Sequence, residues 1–247
     1  MKEICVVTGS LRSGTSCIVG LLERCGFDLG RNVRILRKPT EHNPGGHFEP
    51  DLLFAINSRL LGEAGTDNWS IFNIPEEQAI AELASRRKNY FKLFIRKFDG
   101  ELCKDPLFCL TLPFWEQYWK ELKKVVFCLR HPLAVAQSME KRYGLQIDEG
   151  LKLWYTYSSR FFRCTKRSRV YVFDFDTFRS KPCAAFSMLL DWLERPMKPK
   201  DLQECIDDFF KPDHVHWSFG EAELKGVPAY IRNLHLELLS RTGPRDS

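Results

Sequence analysis

No apolar run in this sequence is long enough to cross a membrane or serve as a secretory leader. The first, Ile4 to Val7, is four residues long, against about 20 for a helical span. The nine cysteines contain no C-x-x-C pair, which indicates neither a zinc site nor a dithiol redox motif. An odd count with no leader is the pattern of reduced thiols, and a cytoplasmic protein is expected. Repeats and low-complexity segments are missing too. Neither sign of charge dominates: 37 basic and 32 acidic residues leave a net charge of +5, and the basic residues are spread along the chain. The two main clusters, Ser85–Lys88 and Thr165–Arg169, read as solvated faces, so no nucleic-acid partner is expected. His214 and His216 form a His-x-His pair with no third ligand at a suitable spacing, and no metal is expected there.

What remains is ordinary globular composition. With 44% hydrophobic and 28% charged residues, the chain can bury a core and is not a disordered one. Its 247 residues suit one domain: an α/β core over residues 1–195 and a helical and loop extension over 196–247. Short apolar strands are predicted at Ile4–Thr8, Glu101–Lys104, Lys124–Leu129 and Arg169–Asp174, alternating with helices at Gly14–Cys25, Pro50–Leu61, Pro75–Phe98, around Trp115 and Trp119, and from Pro132. Two more helices are expected to flank the last strand. Gly30–Pro50 holds three prolines, three glycines and two histidines and reads as a long functional loop. Strands alternating with helices predict a three-layer α/β sandwich with a mostly parallel central sheet. Ligands of such sheets lie beyond the carboxyl ends of the strands, so the residues after each strand matter most.

Three strand ends carry unusual chemistry. The first is Gly9–Ser16, where a strand turns through glycines and serines into a helix start. Backbone N–H groups and the helix dipole there face an anion. Its spacing copies the P-loop G-x-x-x-x-G-K-[ST] except that Thr15 replaces the lysine. Arg12 is the cation instead, which points to a phosphate-like group other than the β/γ end of ATP. The second is Lys104-Asp105-Pro106. In the third, Arg130 ends a buried strand, Pro132 opens a helix, and Ser138 lies about two turns in. That makes a second anion site. Two anion sites on one sheet suggest a nucleotide phosphorylated at two distant positions.

This combination resembles the sulfotransferase family that uses 3′-phosphoadenosine 5′-phosphosulfate (PAPS), over roughly residues 4–195. Leu11-Arg12-Ser13-Gly14-Thr15-Ser16 is similar to its 5′-phosphosulfate loop, with Leu11 where proline is usual. Arg130, Pro132 and Ser138 are similar to its 3′-phosphate motif, and Lys104-Asp105-Pro106 to its lysine-bearing strand end. The resemblance implies a P-loop-like fold, with Arg12, Ser13, Gly14, Thr15, Ser16, Arg130 and Ser138 binding the nucleotide. It also implies Arg12 and Lys104 as cations around the transferred group, with no need for magnesium. The histidine base of the aryl and steroid enzymes is replaced by Pro106. The stretch Asn43–Glu49 instead resembles the N-P-x-G-x-F-E segment of bacterial and carbohydrate-type members, which makes Glu49 the expected base and His47 its competitor. For Glu49 a helix-capping role is the alternative. His42 is a weaker candidate, and His131 is read as structural or adenosine-adjacent. The resemblance also implies that Pro212–His216 belongs to a loop closing over the nucleotide.

The acceptor is expected to bear a hydroxyl on a sugar, glycopeptide, lipid or small metabolite. Trp115, Trp119, Trp154 and Trp192 are read as core, and Trp69 and Trp217 as core or acceptor-lining. Two rival readings stay open. A P-loop kinase or NTPase draws on the apolar strand ending at Asp174, like a Walker B element. A non-catalytic nucleotide- or polyanion-binding module is the other.

Overall fold

The computed structural model describes residues 3–41, 43, 45–65, 72–165, 167–212, 217 and 219–244. His42, Trp69 and residues 213–216 lie outside them. Four parallel strands, β1 (Ile4–Thr8), β2 (Leu102–Lys104), β3 (Leu122–Leu129) and β4 (Arg169–Asp174), are joined at one edge by the two-residue antiparallel β5 (Gly243–Pro244). Their order is β2-β1-β3-β4-β5.

Alternation along the strands makes the layers. Val6, Cys103, Val125 and Phe127 enter one core, whereas Cys5, Val7, Leu102, Val126 and Cys128 enter the other. Successive strand side chains point to opposite faces, so a strand apolar throughout must be covered on both. The first face is covered by α2 (Asp51–Ala64), α3 (Glu77–Arg86), α4 (Lys88–Lys97), α5 (Phe108–Tyr118), α6 (Pro132–Tyr143) and α7 (Ile147–Cys164). The second is covered by α1 (Thr15–Arg24), α8 (Phe175–Ser180), α9 (Pro182–Trp192) and α10 (Pro199–Phe209). This is the expected α/β sandwich.

Trp115 and Trp154 are fully buried, and Trp119 and Trp192 nearly so. Trp115 meets Phe91, Phe94 and Phe108 edge to face, and each such buried side chain contributes about 1.5–3 kcal/mol of apolar transfer. The C-terminal extension is part of both cores. Leu202, Ile206 and Phe210 pack with α1, while Ile231 and Leu238 of α11 (Ala229–Leu239) pack on the opposite side.

Two expected single helices are broken. The segment read as one helix from Pro75 to Phe98 divides at Arg87, which ends α3 and begins α4. No proline or glycine stands there. Arg87 Nε and the Tyr90 hydroxyl both donate to Glu63 of α2, at 2.8 and 3.1 Å, which ties the turn to a neighbouring helix. After β4, the chain stops at Lys181 and restarts with Pro182, whose missing N–H suits a first helical turn.

The register aligns the ligand edge. Val7 sits beside Lys104, Thr8 beside Phe127, and Leu129 beside Asp174. With β1 flanked by β2 and β3, chain order reverses at β1. The crevice opens at that switch point.

Candidate active site

A cleft of about 1040 Å³ lies over this edge, and it is lined by Arg12, Gly14–Ser16, His47, Glu49, Lys104, Arg130 and Ser138. Of the expected site residues, only Ser13 is not on the cleft wall: its hydroxyl is buried in the loop beneath and bonds to no protein atom.

The anion loop is shaped by backbone demands. Gly14 has φ 93°, and a Cβ there would come within 2.4 Å of the Phe175 ring. Only glycine meets both conditions cheaply. Arg12 also lies at positive φ, 68°, a conformation a bulky residue holds only where its surroundings impose it. Those surroundings are visible: the Arg12 carbonyl accepts from Arg130 Nη1 at 3.0 Å, and its Nε donates to Ser138 Oγ at 3.0 Å. The two strand-end motifs therefore touch and form one continuous cleft. Burial and the nearby Arg142 push the Arg12 guanidinium down from its ordinary pKa.

Arg130 is held on every side. Its Nη2 donates to the Trp217 carbonyl at 3.1 Å, and the guanidinium lies 5.6 Å from the Phe175 ring. Its own carbonyl accepts from Trp154 Nε1 at 3.0 Å. Burial pushes its pKa down to about 10, opposed by Asp176. Arg130 Nε is buried with no protein partner, and such an orphan donor costs free energy until an acceptor arrives. His131 Nδ1 accepts the Leu133 N–H at 3.2 Å and caps α6, and its ring packs on His235.

The second focus is Lys104. Its ammonium, on a side chain 2% exposed, donates to Ser16 Oγ and the His47 carbonyl, each at 3.0 Å, and to Glu49 Oε1. All three protons are used. Ser16 in turn donates to the His47 carbonyl at 3.2 Å and accepts from Asn43 Nδ2 at 3.1 Å. Glu49 is thus bound to Lys104. No side chain caps α2, whose N-cap is Pro50, so the capping alternative for Glu49 does not hold. Its second oxygen, Oε2, is buried and bonds to no protein atom. The His47 ring is half-buried, 3.5 Å from the Thr40 hydroxyl, and burial lowers its pKa. In this arrangement His47 serves the cluster through its carbonyl.

Short backbone bonds aim Glu49. Leu36 and Glu49 pair as a miniature antiparallel ladder: Leu36 N–H donates to Glu49 O at 2.8 Å and Phe48 N–H to Leu36 O at 2.7 Å. Gly46, at φ 95°, turns the chain where a Cβ would sit 2.7 Å from the Arg37 carbonyl. Phe48, at φ 66°, is buried against Phe209 of α10.

Sequence reasoning missed a support beneath the site. Asp105 is fully buried, accepting from Asn57 Nδ2 at 2.8 Å and the Leu107 N–H at 2.9 Å. Asn57 Oδ1 accepts from Thr111 and from Trp115 Nε1. Burial pushes the Asp105 carboxyl up to about 7. The visible signal was Asn57, one polar residue in the apolar stripe Leu53, Ile56, Leu60, Leu61 of α2. Asp174, which resembled a Walker B aspartate, spends its oxygens on the Asp176 N–H and the Thr177 hydroxyl at the start of α8. It is a helix cap. Among the described residues, no group of three His, Cys, Asp or Glu side chains could hold a metal ion, and no helix is long and apolar enough to cross a membrane.

No protein-family model matches the sequence, and neither does any curated relative. The fold has known counterparts. The chain aligns with sulfotransferase STF9 from Mycobacterium avium at a TM-score of 0.57 and 13% identity, over 97% of this chain and 77% of that one. It also aligns with the sulfotransferase domain of the Synechococcus PCC 7002 olefin synthase (TM-score 0.48, 14% identity, 99% and 90% covered). A third alignment is with sulfotransferase STF1 from Mycobacterium tuberculosis H37Rv (0.48, 12%, 96% and 77%). The likeness to STF9 establishes the architecture: the chain has the sulfotransferase fold, an α/β sandwich of the P-loop-like kind.

Proposed function

We propose that the chain is a PAPS-dependent sulfotransferase, moving a sulfuryl group to a hydroxyl of a sugar, glycopeptide, lipid or small metabolite and releasing 3′,5′-diphosphoadenosine. The observation that carries this reading is the Glu49–Lys104–Ser16 cluster at the head of an anion-binding loop. It joins a carboxylate, an ammonium and a hydroxyl where a strand end meets a helix N-terminus.

Two buried donors without a protein partner, Arg130 Nε and Ser13 Oγ, suit a doubly phosphorylated nucleotide: Arg130 with Ser138 for the 3′-phosphate, and Ser13 through Ser16 with their backbone N–H groups for the 5′ end. PAPS supplies a sulfuryl group already activated by its anhydride to phosphate. The chain's own work is proton and charge management. Glu49 Oε2, buried and unbonded, takes the proton of the acceptor hydroxyl as the oxygen attacks. Lys104 places a positive charge where negative charge develops on the leaving oxygen, in a site dry enough to make it count. Arg12 adds a second cation from the loop.

Titration separates this reading from its rivals. The purified protein should bind 3′,5′-diphosphoadenosine tightly without added metal and ATP–Mg²⁺ weakly. The reverse order would favour a kinase or NTPase. Tight nucleotide binding with no transfer to any hydroxyl acceptor would favour a binding module.

A further inference from the structure

The cleft carries more positive charge than the proposed donor uses. Arg12, Lys104 and Arg130 have partners in the loop and at the strand ends. Lys141 and Arg142, in the last turn of α6, line the same cleft. They stand three and four residues after Ser138 and so share its face of the helix. Arg142 lies close enough to Arg12 and to His47 to depress the proton affinity of both. It lines the cleft together with His47 and Glu49. Its guanidinium sits 5.1 Å from the neighbouring Tyr143 ring, which steadies its direction. Neither cation forms an ion pair with a described carboxylate, although Glu41 and Asp208 also line the cleft. Cations at a helix C-terminus complement the dipole, but that benefit does not require them to face a cleft.

We propose that Lys141 and Arg142 form an anion-recognition subsite for the acceptor, so that the hydroxyl to be sulfated belongs to a molecule carrying its own carboxylate or sulfate nearby, such as a uronic-acid-bearing glycan. The proposal rests on the sulfotransfer reading. Phe54, 39% exposed on the cleft wall, offers an apolar surface for the body of such an acceptor.

The test uses two probes that differ only at C6, 4-methylumbelliferyl β-D-glucuronide with a carboxylate there and the corresponding β-D-glucoside with a hydroxymethyl group. Binding is measured on the full chain saturated with 3′,5′-diphosphoadenosine. The wild type should prefer the glucuronide by about tenfold or more, as expected of a charge-assisted contact. Lys141→Ala/Arg142→Ala should abolish the preference, and Lys141→Glu/Arg142→Glu should reverse it. Affinity for diphosphoadenosine should stay within about twofold in the alanine variant, the one on which the nucleotide comparison is made. Equal binding of the two probes, binding of neither, or a preference that survives in the variants overturns the proposal. A parallel loss of nucleotide affinity overturns it as well, by returning the pair to the donor site. If the wild type fails to bind diphosphoadenosine at all, the sulfotransfer reading has failed, and this proposal falls with it.

Discussion

Replacing Glu49 by glutamine separates charge from shape at the centre of the site. Glu49 is 8% exposed and Lys104 2%, so the pair is a buried one, and truncating one partner of such a pair costs about 3–5 kcal/mol. Glutamine retains a carbonyl for Lys104, which keeps its bonds to Ser16 and the His47 carbonyl. The loss of stability should then fall to about 1–3 kcal/mol, measurable as a lower urea midpoint with an unchanged slope. The chemical step should suffer more. An amide cannot accept the acceptor's proton, and losing a general base lowers the rate by about 10²–10⁴, equivalent to about 2.7–5.4 kcal/mol of barrier. Affinity for diphosphoadenosine should hold or rise, since a negative charge has left the edge of an anion site. Transfer of labelled sulfate from PAPS, urea unfolding and nucleotide titration on one preparation give the three numbers. An active Glu49→Gln beside an inactive His47→Gln would refute the assignment. It would mean that the ring of His47, and not only its carbonyl, serves the reaction.

Three further outcomes are expected. Arg130→Ala should weaken 3′,5′-diphosphoadenosine by about 1.5–3 kcal/mol and adenosine 5′-phosphosulfate far less, as one charge-assisted contact to the 3′-phosphate is removed; equal losses would show that Arg130 chiefly holds Arg12 and Trp217 in place. Gly14→Ala should destabilise the fold by about 2–4 kcal/mol in urea, combining the left-handed backbone with the clash against Phe175, and a loss under about 0.5 kcal/mol would show that the loop adapts freely. Acid should unfold the protein early, because burial beside His131 lowers the His235 pKa from 6.5 to about 3. Neutral His235 favours the native state above pH 6.5, and that contribution drains away as pH falls from 6.5 towards 3. The loss should reach about 2 kcal/mol between pH 7 and pH 5, and His235→Met should remove most of this slope; identical slopes in both proteins would reject the linkage.

The strands and the anion loop were legible because their signals are local. A four- to six-residue apolar run followed by glycines and a helix start can be read within one window, and the structure places Ile4–Thr8, Arg169–Asp174 and α1 almost where expected. What escaped depends on contacts distant in sequence. The break at Arg87 falls where the chain contacts Glu63 on another helix. The antiparallel β5 is two residues long, too short for any periodicity, and exists because β4 offers it an edge. Asp105 looked like part of a strand-end motif, yet its environment is set by Asn57, 48 positions earlier.

The site shows the same division, with one consequence for mechanism. Spacing could nominate Arg12 and Ser138 separately, as parts of two anion sites, but not their hydrogen bond across 126 positions. That contact, the Arg130 bond to the Arg12 carbonyl and the strained φ of Arg12 belong together. A bulky residue stays in the left-handed region only when its neighbours over-determine it, and here the neighbours are the residues proposed to hold the 3′-phosphate. A ligand that draws Ser138 or Arg130 towards itself therefore acts on the backbone of the loop proposed to hold the 5′ end. The bond from Arg130 braces that loop, yet its charge is proposed to meet only the 3′-phosphate, which is why Arg130→Ala is expected to weaken adenosine 5′-phosphosulfate less than diphosphoadenosine.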